Sequence, residues 1–173
     1  MCYRLWQFWQ TLWAKPLTEE VWAEVAAVLN PQELKLFVCF PPNDQWHSVR
    51  VMQLLRSAGY EQAALLKAAL LHDVGKTAVS LTIWERVIVV LGSKMWPHKA
   101  AGWGEGEARG WRRPFIVKAQ HPTWGAEMAT AAGCDELTID LIQRHQDVLA
   151  ETVVAGTVQD ERLRALQWAD DRS

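Results

Sequence analysis

Several features that would announce a partner are missing from this chain of 173 residues. Charge of one sign is not in excess: the formal net charge is −2 at pH 7. The basic surplus of a nucleic-acid-binding surface is therefore absent, and no nucleic-acid duplex is expected as a partner. Cysteine is scarce. Cys2, Cys39 and Cys134 are odd in number and lack CxxC spacing, which argues against a disulfide framework or a zinc ribbon and suits a reducing compartment. Cys39 and Cys134 read as small buried thiols. Long apolar runs are also missing: Val87 to Leu91 falls far short of the ~20 residues of a membrane span. The first residues, MCYRLWQFWQTLW, have neither a continuous apolar stretch nor a small-residue cleavage site. The expectation is a cytoplasmic protein without a membrane span. No segment alternates as a strand would, and no tract is of low complexity.

What is present is enough apolar material for one packed domain: 50% of the residues are hydrophobic. Nearly all of it reads as helix. Thr18 caps a helix with Glu19 and Glu20 in its first turn, where the helix dipole favours acids. That helix runs to about Asn30, and a short one follows from about Gln32 to Cys39. Asn43-Asp44 leads into a helix ending near Gly59, and the next spans about Glu61 to Asp73. Trp84, Val87, Ile88 and Leu91 mark an amphipathic helix closed by Gly92. Residues 93–111 have four glycines, one proline and three tryptophans but no helical period, so they read as a long loop of functional type. Helices at about 114–120, 122–132 and 135–147 follow, with Pro122 at a first helical position, Gly133 at a C′ position and Asp135 as N-cap. A last helix begins near Asp160. The expected architecture is all-α, a single domain over residues 1–173 whose core covers about 40–172, with a tryptophan-rich helical extension over 1–39.

Tryptophan is abundant, with eleven in the chain. Trp6, Trp9 and Trp13 fall at i, i+3 and i+7, with Leu5 and Leu12 beside them. This stripe reads as a helix laid on the body of the domain. A homodimer contact and an interfacial membrane anchor are its other uses, and the segment has no polybasic cluster to support the anchor.

Histidine is rare, five in all, and its placement is the most informative feature. His47, His72, His121 and His145 sit where soluble helices ordinarily carry apolar residues, as do Asp73 and Asp170. His72 lies below Leu65 and Ala69, Asp73 below Leu66 and Leu70, and Asp170 follows Leu163 and Leu166 on one face. An ionised aspartate aimed into a core is costly unless compensated. Each residue alone is more simply a hydrogen-bonded core histidine or a helix-end aspartate. Together, four imidazoles and two carboxylates on separate helices can compensate one another by surrounding a cation, and this donor set suits first-row divalent metals.

In order, His47, His72-Asp73 and Asp170 give the pattern H…HD…D. It resembles the defining motif of the HD-domain metal-dependent phosphohydrolases, and HDVGK resembles the HDIG-type variant with Val74 in place of isoleucine. HPTWGAEMA around His121 and LIQRHQ around His145 resemble the two further histidine motifs of HD proteins that hold two metals. The resemblance covers about residues 40–172. It implies a compact helical HD-domain fold and hydrolysis of a phosphate ester or anhydride, with a nucleotide or other small phosphate compound as substrate. It also implies that His47, His72, Asp73 and Asp170 hold one metal, and that Asp73 bridges to a second held by His121 and His145. The cofactor expected is one or two divalent ions of Mn, Fe, Co, Ni or Zn. The stretch RHQDVLAE lacks the second histidine and the GYP segment of the HD-GYP phosphodiesterases, so that subgroup is not supported. A non-catalytic metal-binding or sensory module and a di-iron oxygenase of the HD-like fold are the competing classes.

Within the hydrolase reading, Asp73 and Lys76 are the candidate catalytic residues, Asp73 as bridging carboxylate and Lys76 as a phosphate contact. The bland alternative for Lys76 is a solvated lysine at a helix C-terminus. Arg112 and Arg113 are the candidate substrate-binding residues, suited to pairing with phosphates bidentately, and Trp103 or Trp111 to stacking on a base. The alternative is a surface loop whose tryptophans cover core. His98 is read as a non-ligand. Asp44 is read as orienting His47 or as a helix cap, and Asp170 is favoured over its neighbour Asp171.

Overall fold

The computed structural model describes residues 15–149 and 158–173. The tryptophan stripe at Trp6, Trp9 and Trp13, and Cys2, lie outside them. Among the described residues there are nine α-helices and no strand: α1 (Glu19–Ala26), α2 (Pro31–Val38), α3 (Pro42–Ser57), α4 (Ala63–Leu71), α5 (Ile83–Met95), α6 (Pro97–Trp103), α7 (Arg113–Ala131), α8 (Glu136–Arg144) and α9 (Val158–Asp170). The all-α expectation holds. No helix among the described residues is long and apolar enough to cross a membrane.

The centre is α4. Its sequence AALLKAALL is apolar almost all round, which suits a helix covered on every side, and Leu65, Leu66, Ala68, Ala69, Leu70 and Leu71 are all buried. It packs against α2, α3, α8 and α9. Its one lysine, Lys67, reaches the wholly buried Glu33 of α2 at 2.7 Å. The other oxygen of Glu33 closes a capping box with Asn30, accepting from its backbone N–H at 2.8 Å. Glu33 is thus satisfied on both oxygens, as a buried carboxylate must be. Burial, and then the charge of Glu33, push the Cys134 thiol up to about 12, which keeps it an inert core group. Cys39 differs from expectation: it is exposed, because α2 ends there and turns its C-cap to solvent.

Three boundaries also differ. Gly92 does not close its helix. Helix α5 runs on to Met95, and Gly92 is buried where an added Cβ would lie 2.6 Å from the Phe115 ring of α7. The stretch 93–111 is not all loop: it contains α6 and a 3₁₀ turn at Gly110–Arg112. These are too short for a period to show, and aromatic packing holds them, with Trp103 edge-on to Phe115 (4.9 Å between ring centroids) and to Trp111 (5.3 Å). Finally, Pro122 does not start a helix; α7 continues through it as one helix. Asp135, by contrast, caps α8 as expected, accepting from Thr138 N at 3.0 Å.

Candidate metal centre

Three helices end at one place. His72 is the C-cap of α4, His145 the C-cap of α8, and Asp170 the last residue of α9. The carbonyl ends of three helices thus converge, and the negative pole of each macrodipole favours a cation there. His47 comes from the first half of α3 and His121 from the middle of α7.

Neighbouring residues on a helix point about 100° apart, so an uninterrupted α4 would not aim both His72 and Asp73 inward. At Asp73 the backbone leaves the helix (φ −95°, ψ 4°) and enters a 3₁₀ turn over Val74–Ala78. Both side chains are buried as a result. The turn lies directly on α7, and two glycines allow it. A Cβ on Gly75 would sit 2.0 Å from the carbonyl oxygen of His121 and 2.6 Å from the backbone nitrogen of Gly125. A Cβ on Gly125 would meet Ile142 Cγ2 at 3.1 Å and Gly75 N at 3.3 Å. This close backbone approach, absent from the sequence reading, is what brings His121 to Asp73.

The residues form two groups that share Asp73: His47, His72 and Asp73, and Asp73, His121 and His145. Asp73 offers a different oxygen to each. Its Oδ2 lies 4.0 Å from His47 Nε2 and 3.6 Å from His72 Nε2, its Oδ1 3.3 Å from His121 Nε2 and 3.7 Å from His145 Nε2. Asp170, not Asp171, completes the first side, with Oδ1 2.9 Å from His47 Nε2 and 3.5 Å from His72 Nε2.

The imidazole tautomers follow from the opposite ring nitrogens. Nδ1 of His72 meets Ala69 O at 3.0 Å, Nδ1 of His145 meets Ile142 O at 2.7 Å, and Nδ1 of His121 meets Lys118 O at 2.9 Å and Val117 O at 3.1 Å. A carbonyl only accepts, so each Nδ1 carries the proton and each Nε2 presents a lone pair to the cluster. Pro122 explains the third case. It has no N–H to give Lys118 O, which is left free to accept from His121. His47 Nδ1 donates to the Ser173 hydroxyl at 2.7 Å, and that hydroxyl donates to Asp170 O at 3.0 Å.

These lone pairs test whether a metal fits. His72 Nε2 is buried with no hydrogen-bond partner, an omission that ordinarily costs about 1–3 kcal/mol. His121 Nε2 and His145 Nε2 face each other at 3.2 Å, two lone pairs opposed unless a positive charge lies among them. A divalent ion on each side of Asp73 would satisfy every one of these atoms, and the donors are of the right type. Charge balance agrees. Burial opposes ionisation of Asp73, but Lys76, His72 and His121 outweigh it and hold its carboxyl well below the usual range. Burial likewise opposes ionisation of Asp170, yet the neighbouring His47 and His72 rings hold its pKa below the usual carboxylate range. Burial and the charge of His72 push the His145 imidazole down to about 3, leaving it neutral as a ligand must be. Burial disfavours charge on His72, but Asp73 and Asp170 prevail and raise its pKa. A proton there is what an ion would displace.

Other predicted residues are placed as follows. Lys76 Nζ pairs with Asp73 Oδ2 at 2.5 Å at the mouth of the cluster. Arg112 and Arg113 share no hydrogen bond or ion pair with a cluster residue among the described residues. Arg112 donates to Gly102 O at 2.6 Å, and Arg113 donates to Ser80 O and to Glu85 at 3.2 Å. Trp103 and Trp111 pack edge-on against Phe115 and each other, and His98 is exposed. Asp44 neither caps α3 nor bonds His47; it pairs with Arg86 at 3.4 Å, since Pro41 occupies the cap position. Sequence reasoning missed Ser173 and two glutamines. Gln146 Nε2 approaches His121 Nε2 at 3.5 Å. Gln167 donates to His145 O at 3.0 Å and Asp147 O at 2.9 Å, so α9 positions both groups. A glutamine on a polar face carries no signal of such a role.

A family model described as HD domain matches residues 46–173, a span that contains all six cluster residues. No curated protein and no solved structure matches the chain.

Proposed function

The chain belongs to the HD-domain family, and on that premise we propose that it hydrolyses a phosphate ester or anhydride of a nucleotide with the help of two divalent metal ions. The observation that carries this reading is the double presentation of Asp73, one oxygen to each histidine pair. His47, His72, Asp73 and Asp170 are the residues that would hold one ion, and Asp73, His121 and His145 the other. When bound, such ions lower the pKa of water from about 15.7 toward about 7 and polarise a phosphoryl oxygen.

The chain's own contribution is placement and charge. Asp73 is the short, buried, ionised carboxylate positioned to orient water between the two groups and to take its proton. Lys76 has over a third of its side chain exposed, and it is the nearest cation to offer a substrate phosphate once Asp73 is engaged elsewhere. The backbone carbonyls behind His72, His121 and His145 fix the ring orientations, which supports a preorganised site. On this reading Arg112 holds the α6 segment beside α7 through Gly102 O, and Arg113 ties the start of α7 to Ser80 O and to Glu85 of α5.

The test is phosphate release across a panel of nucleotides with Mn(II) or Fe(II) added. The expected result is metal-dependent turnover that falls to background in Asp73→Ala. For Lys76→Ala the expectation is lower turnover with bound metal unchanged; loss of metal would assign Lys76 a structural part instead. Bound metal with no phosphate released from any compound would overturn the hydrolase reading.

A further inference from the structure

Helix α5 has two apolar faces and uses only one. Val89 and Gly92 are buried, with Gly92 against Phe115. The second face consists of Trp84, Ile88, Leu91 and Met95, which are 76%, 49%, 52% and 61% exposed. At i, i+4, i+7 and i+11 they fall within about 60° on a helical wheel. Four large apolar residues in one unbroken stripe are not the scattered exposure of an ordinary surface. This is the seam one helix offers another.

We propose that the stripe is the docking face for residues 1–14 of the same chain, bound as an amphipathic helix. Three observations select this occupant. The first is chemistry: Leu5, Trp6, Trp9, Leu12 and Trp13 fall within about 120° of one another on a helix, a matching apolar face with no acidic residue in the segment. The second is origin. The segment leaves the described fold at Lys15, whose carbonyl accepts a 2.8 Å hydrogen bond from Trp46 Nε1 on α3. Two residues earlier on α3, Asp44 pairs with Arg86 in the first turn of α5, so Lys15 and the start of α5 both lie against the N-terminal half of α3. The third is length. Fourteen helical residues span about 21 Å and the 13 residues of α5 about 20 Å at about 1.5 Å per residue. A second copy could present a similar surface, but a tethered segment competes at an effective concentration on the order of millimolar.

The experiment is amide hydrogen exchange on the full chain, followed by sedimentation to fix the oligomeric state. The result expected is that amides of residues 4–13 exchange at least about tenfold more slowly than in a free peptide of the same sequence. The slowing should disappear in Ile88→Asp/Leu91→Asp and in Trp9→Asp, which attack the contact from its two sides. Protection of α4 must stay unchanged in both variants, showing that the body is folded, and the protein must stay monomeric. Free-peptide exchange of 4–13 in the unaltered chain would overturn the proposal. So would slowing that survives the substitutions, or slowing that vanishes on dilution together with a dimer.

Discussion

The body of the domain and the α5–α6 arm are both helical and both rich in large apolar residues, but they spend that material differently. In the body, α4 is buried on every side, and the acidic and histidine side chains buried there, among the described residues, are Glu33, held by Lys67 and Asn30, and the histidine–aspartate cluster. In the arm, α5 buries one face and leaves Trp84, Ile88, Leu91 and Met95 outside. A buried polar cluster and an exposed apolar stripe are the same kind of signal, since each departs from the ordinary partition of polar and apolar groups. On the readings proposed above, the first takes a cation and the second a helix of the same chain.

The sharpest way to break the body is Asp73→Ala. Both groups share this carboxylate, so both should lose metal affinity and turnover should fall to background, as measured by metal content and phosphate release. Next in size is Gly75→Ala. The added Cβ would fall on the backbone of α7, which cannot rotate aside, and the expected cost is about 3 kcal/mol or more in chemical denaturation. The same change in the arm sharpens the contrast: Gly92→Ala meets only the edge of the Phe115 ring, which can shift, so about 1–2 kcal/mol is expected.

Pro122→Ala separates stability from function. It restores an N–H to Lys118 O and competes with His121 Nδ1 for that oxygen. The helix should become no less stable, while affinity for the His121–His145 ion should fall about tenfold, the lower range for losing a ligand's orienting partner. Equilibrium dialysis with Asp73 intact reads it directly. The smallest expected effect is that of pH on the metal-free protein. Asp73 and Asp170 have depressed pKa values in the fold, so their contribution is fully present above the unfolded carboxylate pKa of about 3.9. It is lost as pH falls below that value toward the folded one. Asp170→Asn should flatten the acid limb of a stability–pH curve, and an unchanged limb would remove this carboxylate from the electrostatic account.

The contrast also explains what could be read from the chain alone. The cluster was legible because His47, His72, Asp73, His121, His145 and Asp170 interrupt apolar faces, and an interruption is visible in one dimension. The cap at Asp135 and the all-α class were legible for similarly local reasons. What stayed hidden depends on contact between distant segments. Gly75 and Gly125 look like ordinary glycines until the 3₁₀ turn meets α7. Helix α6 is too short to show a period and is held by Trp103 on Phe115. Pro122 reads as a helix start because local preference favours it there, whereas tertiary packing carries α7 through and turns the missing N–H to use. Arg112 and Arg113 have the chemistry of phosphate ligands, but in the fold their partners are carbonyls and Glu85.

The most direct test of the central claim is the metal stoichiometry of the purified, reloaded protein and its single-site variants. The account predicts two divalent ions per chain, one in His145→Ala and none in Asp73→Ala, with the fold retained by circular dichroism. Absence of bound metal under every loading condition, in a folded protein with all six residues intact, would contradict it.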